Sequence, residues 1–464
     1  MQLAHELARR AAALRFEDLP ADAVHWAKVG ILDTVGVTVA GSTEPCARIV
    51  GEVVAEGGGT SLVFGTNGRA TALDAALING TAAHALDFDD CNNTLGGHPS
   101  APILPALFAL ADERPADGRA FITAYVVGFE TECALARGVN GEDFHHYTKG
   151  WHATVTLGVH GTAAAACNLM RLDAARTATA LAIASSLASG LKANFGTMTK
   201  PLHVGQCARN GLFAALLAER GFTANAGAFE HNQGFLEVFN GAGKYDAARI
   251  VAQWGAPFDV VDPGIAIKQY PCCGSTHPAL DVMLDLVRRH DLDPKNVARI
   301  ECWTHERRLE HTNRPDPQSG LEAKFSVQYC LARALADRAI KIEDFEGDAW
   351  RDPAVRALLP RVHAAAYTAA QFPEDNHLGA EVRLTTVDGT VISGKIDEAL
   401  GRTSGNPLPP ERLREKFENC IARALPRARA KPLADMIETL DTVADMRALS
   451  ALLAPAPVEQ RKRA

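Results

Sequence analysis

Apolar residues recur at spacings of three and four through most of this chain. Between Ala21 and Ala40, the positions Val24, Ala27, Ile31, Val35 and Val39 form one stripe, which predicts a helix. The texture returns at roughly 71–88, 101–113, 118–137, 153–170, 173–190 and 203–220, with Gly, Pro, Asp or Asn between many of the segments. Ser61–Phe64 is a short apolar run of strand character. The pattern changes near residue 265. Val297–Thr304 (VARIECWT) reads as a strand. Glu381–Lys395 predicts a hairpin, because EVRLTTV and TVISGK flank Asp388-Gly389, a pair suited to a tight turn with positive φ at both central residues. Helical patterns at 276–290 and 321–337 accompany these strands, and the chain turns helical again after Gly405-Asn406-Pro407, through about residue 453. The polar tail Pro455–Ala464 is expected to fray. A mainly α protein follows: a helical domain over 1–265 and 401–464, with a smaller α+β unit over 266–400 inserted in it.

Composition narrows the classes. The 464 residues are 47% hydrophobic and 22% charged, the balance of a globular protein, and only 6% are aromatic. Abundant Ala and 38 Gly suit close helix–helix packing. A net charge of −8 argues against nucleic acid as a partner. No apolar run reaches the ~20 residues of a membrane span. The first nineteen residues mix Arg9, Arg10 and Arg15 with Glu6, Glu17 and Asp18, which reads as the first helix of a cytoplasmic protein rather than a targeting segment. Ten scattered Cys without a CxxC pair read as buried small residues and disfavour an iron–sulfur cluster.

The densest polar cluster is His84-Ala-Leu-Asp87-Phe-Asp89-Asp90-Cys91-Asn92-Asn93, followed by Gly96-Gly97-His98-Pro99-Ser100. Three carboxylates within four residues repel one another, so burial would demand cations, a metal or protons. The competing reading is a solvated helix end, with Ser100 capping the next helix. Aspartates at such spacing also admit a magnesium site of the isoprenoid-synthase kind, but the fifth position is Asn93 and no second Asp/Asn-Ser-Glu cluster follows. His152, in Gly150-Trp151-His152-Ala153-Thr154, is either a core histidine or a catalyst. Lys200 precedes Pro201, which suits a first helical turn, with His203 just beyond. A Lys there opposes the helix dipole unless both serve an anion. Lys268 opens Ile267-Lys268-Gln269-Tyr270-Pro271-Cys272-Cys273, ahead of His277. Cys273 and His277 alone make no zinc site. Tyr329 lies at the end of Glu322-Ala-Lys324-Phe-Ser326-Val-Gln328-Tyr329. There is no phosphate-binding GxxxxGK[ST] loop, no GxSxG and no HExxH, and Gly57-Gly58-Gly59 lacks the strand–helix setting of a dinucleotide fingerprint.

HALDFDD, GGHPSAPILPAL, GWHATVTLG, TKPLHVGQCARNG, IKQYPCCGSTHPALD and EAKFSVQY, in this order, resemble the MmgE/PrpD family, which includes 2-methylcitrate dehydratase, cis-aconitate decarboxylase and iminodisuccinate epimerase. The resemblance implies a helical domain built from both chain ends, an α+β lid, a homodimer, no organic cofactor and no required metal. It carries catalytic roles onto Asp87, His98, His152, Lys200, Lys268 and Tyr329, with Cys91, His203 and His277 beside them as substrate-binding positions. The expected ligand is a small di- or tricarboxylic acid. Lys200 and Lys268 would clamp carboxylates, His152 and His98 would move protons, Asp87 would orient a histidine, and Tyr329 would donate a hydrogen bond or proton. A lyase ranks first, dehydratase ahead of decarboxylase, then an epimerase, then a non-catalytic carboxylate-binding protein. Two histidines at their ordinary pKa of roughly 6.5 would place the pH optimum near neutrality.

Overall fold

A computed structural model describes residues 2–54, 58–141, 143–374 and 376–455. Most of the tail expected to fray, and Gly57 of the glycine triplet, lie outside the described residues. The chain is mainly α and divides into two compact units. The first comprises Met1–Ala85, Asp89–Ile267 and Pro409–Ala464; the second comprises Leu86–Phe88 and Lys268–Leu408.

The first unit is helical. Its elements include α1 (Leu3–Ala13), α2 (Ala21–Gly41), α3 (Ala72–Ala85), α4 (Ser100–Glu113), α5 (Gly118–Asn140), α6 (Gly158–Leu169), α7 (Ala174–Leu187) and α8 (Thr199–Glu219). The apolar run at residue 61 forms β1 (Ser61–Leu62), antiparallel to β2 (Arg69–Ala70). The expected helix over 153–170 is two pieces, because the chain breaks at Leu157 between Ala153–Thr156 and α6. Small residues let the helices close on one another. Where α3 crosses α8, a Cβ on Gly205 would stand 2.2 Å from the Leu77 carbonyl oxygen, and one on Gly80 would stand 2.8 Å from the Gly205 Cα. Only glycine permits that approach. Helix Pro410–Ile421, from the C-terminal part of the chain, returns to pack on α2, and its Lys416 ammonium lies 2.6 Å from the buried Asp33 carboxylate. All ten cysteines are free thiols and buried. No described helix is long and apolar enough to cross a membrane.

The second unit holds a four-stranded mixed sheet in the order β4-β3-β5-β6. Strand β3 (Val297–Thr304) pairs parallel with β4 (Val362–Ala366) and antiparallel with β5 (Ala380–Thr386), which pairs with β6 (Val391–Ile396). Helices α9 (His277–Arg289) and α10 (Val327–Asp337) pack on this sheet and share one apolar core with it. Alternate residues of β5 are buried, as a half-covered strand requires. The β5–β6 turn differs from the expected one. Only Gly389 has positive φ (86°), and Thr386 N–H bonds to Thr390 C=O, so the loop has three residues with glycine in the left-handed position. The helix expected over 321–337 is interrupted, because Ser326 Oγ accepts from Tyr329 N–H and so starts α10 afresh.

Candidate functional site: an imidazole cluster at the crossing of α3 and α8

His84 lies in the last turn of α3 and Lys200 in the first turn of α8, and the glycine crossing brings the two ends together. Lys200 Nζ lies 2.7 Å from His84 Nε2. An ammonium only donates, so His84 Nε2 accepts and its Nδ1–H donates to Asp89, 2.8 Å away. Asp89 Oδ2 also lies 3.1 Å from His98 Nδ1. One fully buried carboxylate therefore orients two imidazoles, whose ring centroids are 4.5 Å apart. Cys91 Sγ stands 3.8 Å from His98 Nδ1. The His98 backbone N–H donates to Thr154 Oγ1 at 3.0 Å, and paired bonds between Cys91 and Ala266 hold the loop.

His152 lies on the other side of His84, with ring centroids 5.6 Å apart. Its Nδ1 is 3.3 Å from His203 Nδ1, and the Phe195 ring meets it edge-on. The ring is 2% exposed, yet among the described residues its Nε2 has no hydrogen-bond partner. Gly190 makes room for this pair: its φ is +127°, and a Cβ there would stand 2.5 Å from Val155 and 3.6 Å from the His152 Cβ.

Burial pulls His84 down to about 3, helped by Lys200 and His98 against the opposing pull of Asp89. Burial also drives His152 well below 6.5, and Lys200, His84, His203 and His98 add to it. His203 moves the same way through burial and Lys200. Burial alone would raise Asp89, but His84 and His98 outweigh it and hold the carboxyl well below its usual range. Its neighbour Asp90 goes the other way. Burial, with Asp33 and Asp89 nearby, raises it well above the ordinary value. Asp90 bonds to Ser100 N–H and Oγ, and Ser100 Oγ lies 2.6 Å from Tyr125 OH. Ser100 is thus the first residue of α4 and a partner of Asp90, not a side-chain cap.

In the second unit, Lys268 Nζ bonds to the Asp87 carbonyl at 2.6 Å and to its carboxylate at 3.1 Å. Asp87 has a φ of 52°, a left-handed conformation that is uncommon outside glycine but that aspartate adopts more readily than most residues, and it pairs with Lys268 there. The three aspartates of the cluster therefore meet three different surroundings on burial: an ammonium for Asp87, two imidazoles for Asp89, and the Ser100 hydroxyl and N–H for Asp90, whose pKa is raised.

The MmgE/PrpD N-terminal domain model matches residues 5–248, and the MmgE/PrpD C-terminal domain model matches residues 270–442. The cis-aconitate decarboxylase of Homo sapiens is 31% identical over 472 residues, covering 95% of each chain. That of Mus musculus is 31% identical over 396 residues, covering 82% of this chain and 78% of its own. The cis-aconitate decarboxylase of Aspergillus terreus is 29% identical over 481 residues, covering 97% of this chain and 95% of its own. The chain belongs to the MmgE/PrpD family.

Of the positions carried over from the MmgE/PrpD resemblance, the first unit brings together His98, His152, Lys200, His203 and Cys91, within a network centred on His84 and Asp89. Asp89 orients imidazoles there, and Asp87 pairs with Lys268. In the second unit His277 is buried, its Nε2 3.3 Å from the Cys272 carbonyl. Tyr329 is fully buried; its hydroxyl donates to the Asp344 carbonyl at 2.5 Å and accepts from Arg333. Burial pushes that phenol up to about 12. Sequence reasoning places His84 and Asp89 in the densest polar run without selecting either for a role. That run is the available signal, but their pairing spans five residues across a helix end, a distance no helical spacing encodes. His84, Asp89 and His98 are all metal-ligand types, with ligand atoms within 4.8 Å of one another. A metal bound through His84 Nε2 would have to displace the Lys200 ammonium.

Proposed function

We propose that this protein is a lyase that decarboxylates cis-aconitate, with the proton step in the imidazole cluster. The observation that carries the reading is the buried His152 Nε2, unpartnered among the described residues and close enough to the Lys200 ammonium to be depressed by it. A buried polar nitrogen without a partner is costly, and an incoming acid would satisfy it. The likeness to three cis-aconitate decarboxylases along most of their length supports the choice of acid and reverses the ranking of dehydratase over decarboxylase.

The chemistry follows from the substrate. Loss of CO₂ from the CH₂–COO⁻ arm leaves an electron pair conjugated through the C=C bond to the far carboxylate. Lys200 stabilises that spread charge. A proton is then added at the far carbon, and the product is an unsaturated C5 dicarboxylate with a terminal CH₂ group. His152 delivers the proton. It enters the cycle neutral because of burial and the neighbouring cation, and the substrate's negative charges offset Lys200 and restore its affinity for a proton. Asp89 fixes the tautomers of His84 and His98 around it. Lys268 is a further carboxylate ligand, reached when a substrate carboxylate replaces Asp87 on its ammonium. The second unit acts as a lid, and the protein is a cytoplasmic homodimer; these three points rest on the family resemblance.

Proton NMR of the protein with cis-aconitate, 2-methylcitrate and aspartate-like acids tests the reading. The expected result is release of CO₂ from cis-aconitate with a terminal =CH₂ signal. Loss of water from 2-methylcitrate without decarboxylation of cis-aconitate would make the protein a dehydratase instead.

A further inference from the structure

The second unit contains two arginines whose charge nothing nearby among the described residues cancels. Arg308 is 7% exposed, donating from Nε to the His377 carbonyl and from Nη1 to Ser275 Oγ. Arg402 is half-buried, and its Nε has no hydrogen-bond partner among the described residues. Neither has a carboxylate within ion-pair distance among those residues. They are near enough to repel: burial lowers Arg308 to about 9, with Arg402 the next cause. Buried or half-buried arginines ordinarily sit on acids, so an uncancelled pair marks a place for an anion.

Gly274 locates that place. A Cβ on it would lie 3.5 Å from Arg402 Nη1 and 3.7 Å from Lys268 Cε, so the guanidinium and the lysine stem flank one residue. Gly274 and Ser275 lead into α9, whose thirteen-residue length gives its N-terminus a positive dipole. The arginine is held in readiness. Its turn is closed by Gly401 N–H on the Asn406 carbonyl and by Asn406 Nδ2 on the Ala399 carbonyl. Asp281 of α9 accepts from Leu400 N–H on one oxygen, and from Gln269 Nε2 and Tyr270 OH on the other. One carboxylate therefore fixes both the Arg402 turn and the residues that follow Lys268.

We propose that Arg402, backed by Arg308, forms a carboxylate subsite contiguous with Lys268, which makes the protein select tricarboxylates over dicarboxylates. The subsite deepens the reading of the protein as a cis-aconitate lyase and rests on it for the substrate class. Guanidinium offers two parallel donors to a carboxylate, a geometry that lysine lacks.

The test uses the full chain and three unreactive probes: tricarballylate, glutarate and inorganic phosphate, with affinities by calorimetry. Wild type is expected to bind tricarballylate at least about tenfold more tightly than glutarate. Arg402→Gln should weaken tricarballylate by about 10- to 100-fold, leave glutarate within about threefold, and raise KM for cis-aconitate with little change in kcat. Arg402→Lys should restore part of the loss. Arg308→Gln removes contacts inside the unit, so its melting temperature is compared first, and the Arg402 variants decide the outcome. Unchanged tricarballylate affinity and KM in Arg402→Gln would overturn the subsite while leaving the reaction standing. Phosphate binding as tight as tricarballylate and lost in Arg402→Gln would overturn it as a carboxylate site. If cis-aconitate is not consumed, yet the tricarboxylate preference exists and depends on Arg402, the reaction is wrong and the subsite stands.

Discussion

Asp89 and Asp90 are consecutive in the chain, yet their surroundings are opposite. Asp89 faces two imidazoles, which hold its pKa low; Asp90 faces the Ser100 hydroxyl and backbone N–H with other carboxylates nearby, and its pKa is raised. Both are fully buried, so depth does not separate them. The partners do: groups able to take positive charge stabilise the carboxylate, and neutral hydroxyls do not repay its desolvation. One side of the loop gathers imidazoles, and the other ties the loop to α4 through Ser100, which in turn meets Tyr125 of α5.

Neutralising each aspartate in turn breaks the comparison most sharply. Asp89→Asn removes the acceptor that fixes His84 and His98, and turnover at saturating cis-aconitate should fall by about 10²- to 10⁴-fold. Asp90→Asn swaps one neutral group for another and should stay within a few-fold. Equal losses in steady-state rates would erase the distinction. Asp90→Ala should instead show in unfolding, at a cost of about 1–3 kcal/mol for the Ser100 hydroxyl and N–H that lose this acceptor.

Stability against pH sharpens the same contrast. His84 titrates at about 3 in the folded chain but near roughly 6.5 when unfolded, so the unfolded state binds more protons between those values. Folding stability should therefore fall as pH drops from about 6.5, by up to about 1.4 kcal/mol per pH unit for that group. Asp90 has the reverse sign: its raised pKa contributes stability at low pH that is lost as pH rises through the ordinary carboxylate value. Asp90→Asn should thus gain on wild type as pH rises, in chemical denaturation at pH 4 and pH 8. A constant difference would mean that Asp90 is ionised. As the proton donor, His152 sets the alkaline limb of kcat/KM, and burial with Lys200 places that limb below the 6.5 of an ordinary histidine. The optimum should therefore lie on the acid side of the one expected from unperturbed histidines. The smallest effect is expected from Cys91→Ala, a few-fold change in kcat, since its sulfur stands as far as 3.8 Å from His98 Nδ1.

Much of the fold is legible in the residues. The stripe from Ala21 becomes α2, and VARIECWT becomes β3 at the expected residues. Strand β4 is not legible, because Val362-His-Ala-Ala-Ala lacks alternation and alanine favours helix; only parallel pairing with β3 makes it a strand. In the site, Lys200 stands out in the sequence because a Lys at a helix start opposes the dipole, whereas His152 beside Trp151 reads as either a core histidine or a catalyst. His84 and Asp89 do not stand out, since their meeting depends on the chain reversing at Asp87 in a left-handed conformation, and on two glycines 125 positions apart letting α3 and α8 touch.

The most direct test is NMR of cis-aconitate in D₂O with wild type and His152→Gln. Wild type should place one deuterium in the saturated CH₂ of the C5 product for each CO₂ released, and the variant should lose turnover by about 10²- to 10⁴-fold with its fold intact. Near-normal deuterated product from His152→Gln would contradict the role of His152 as proton donor.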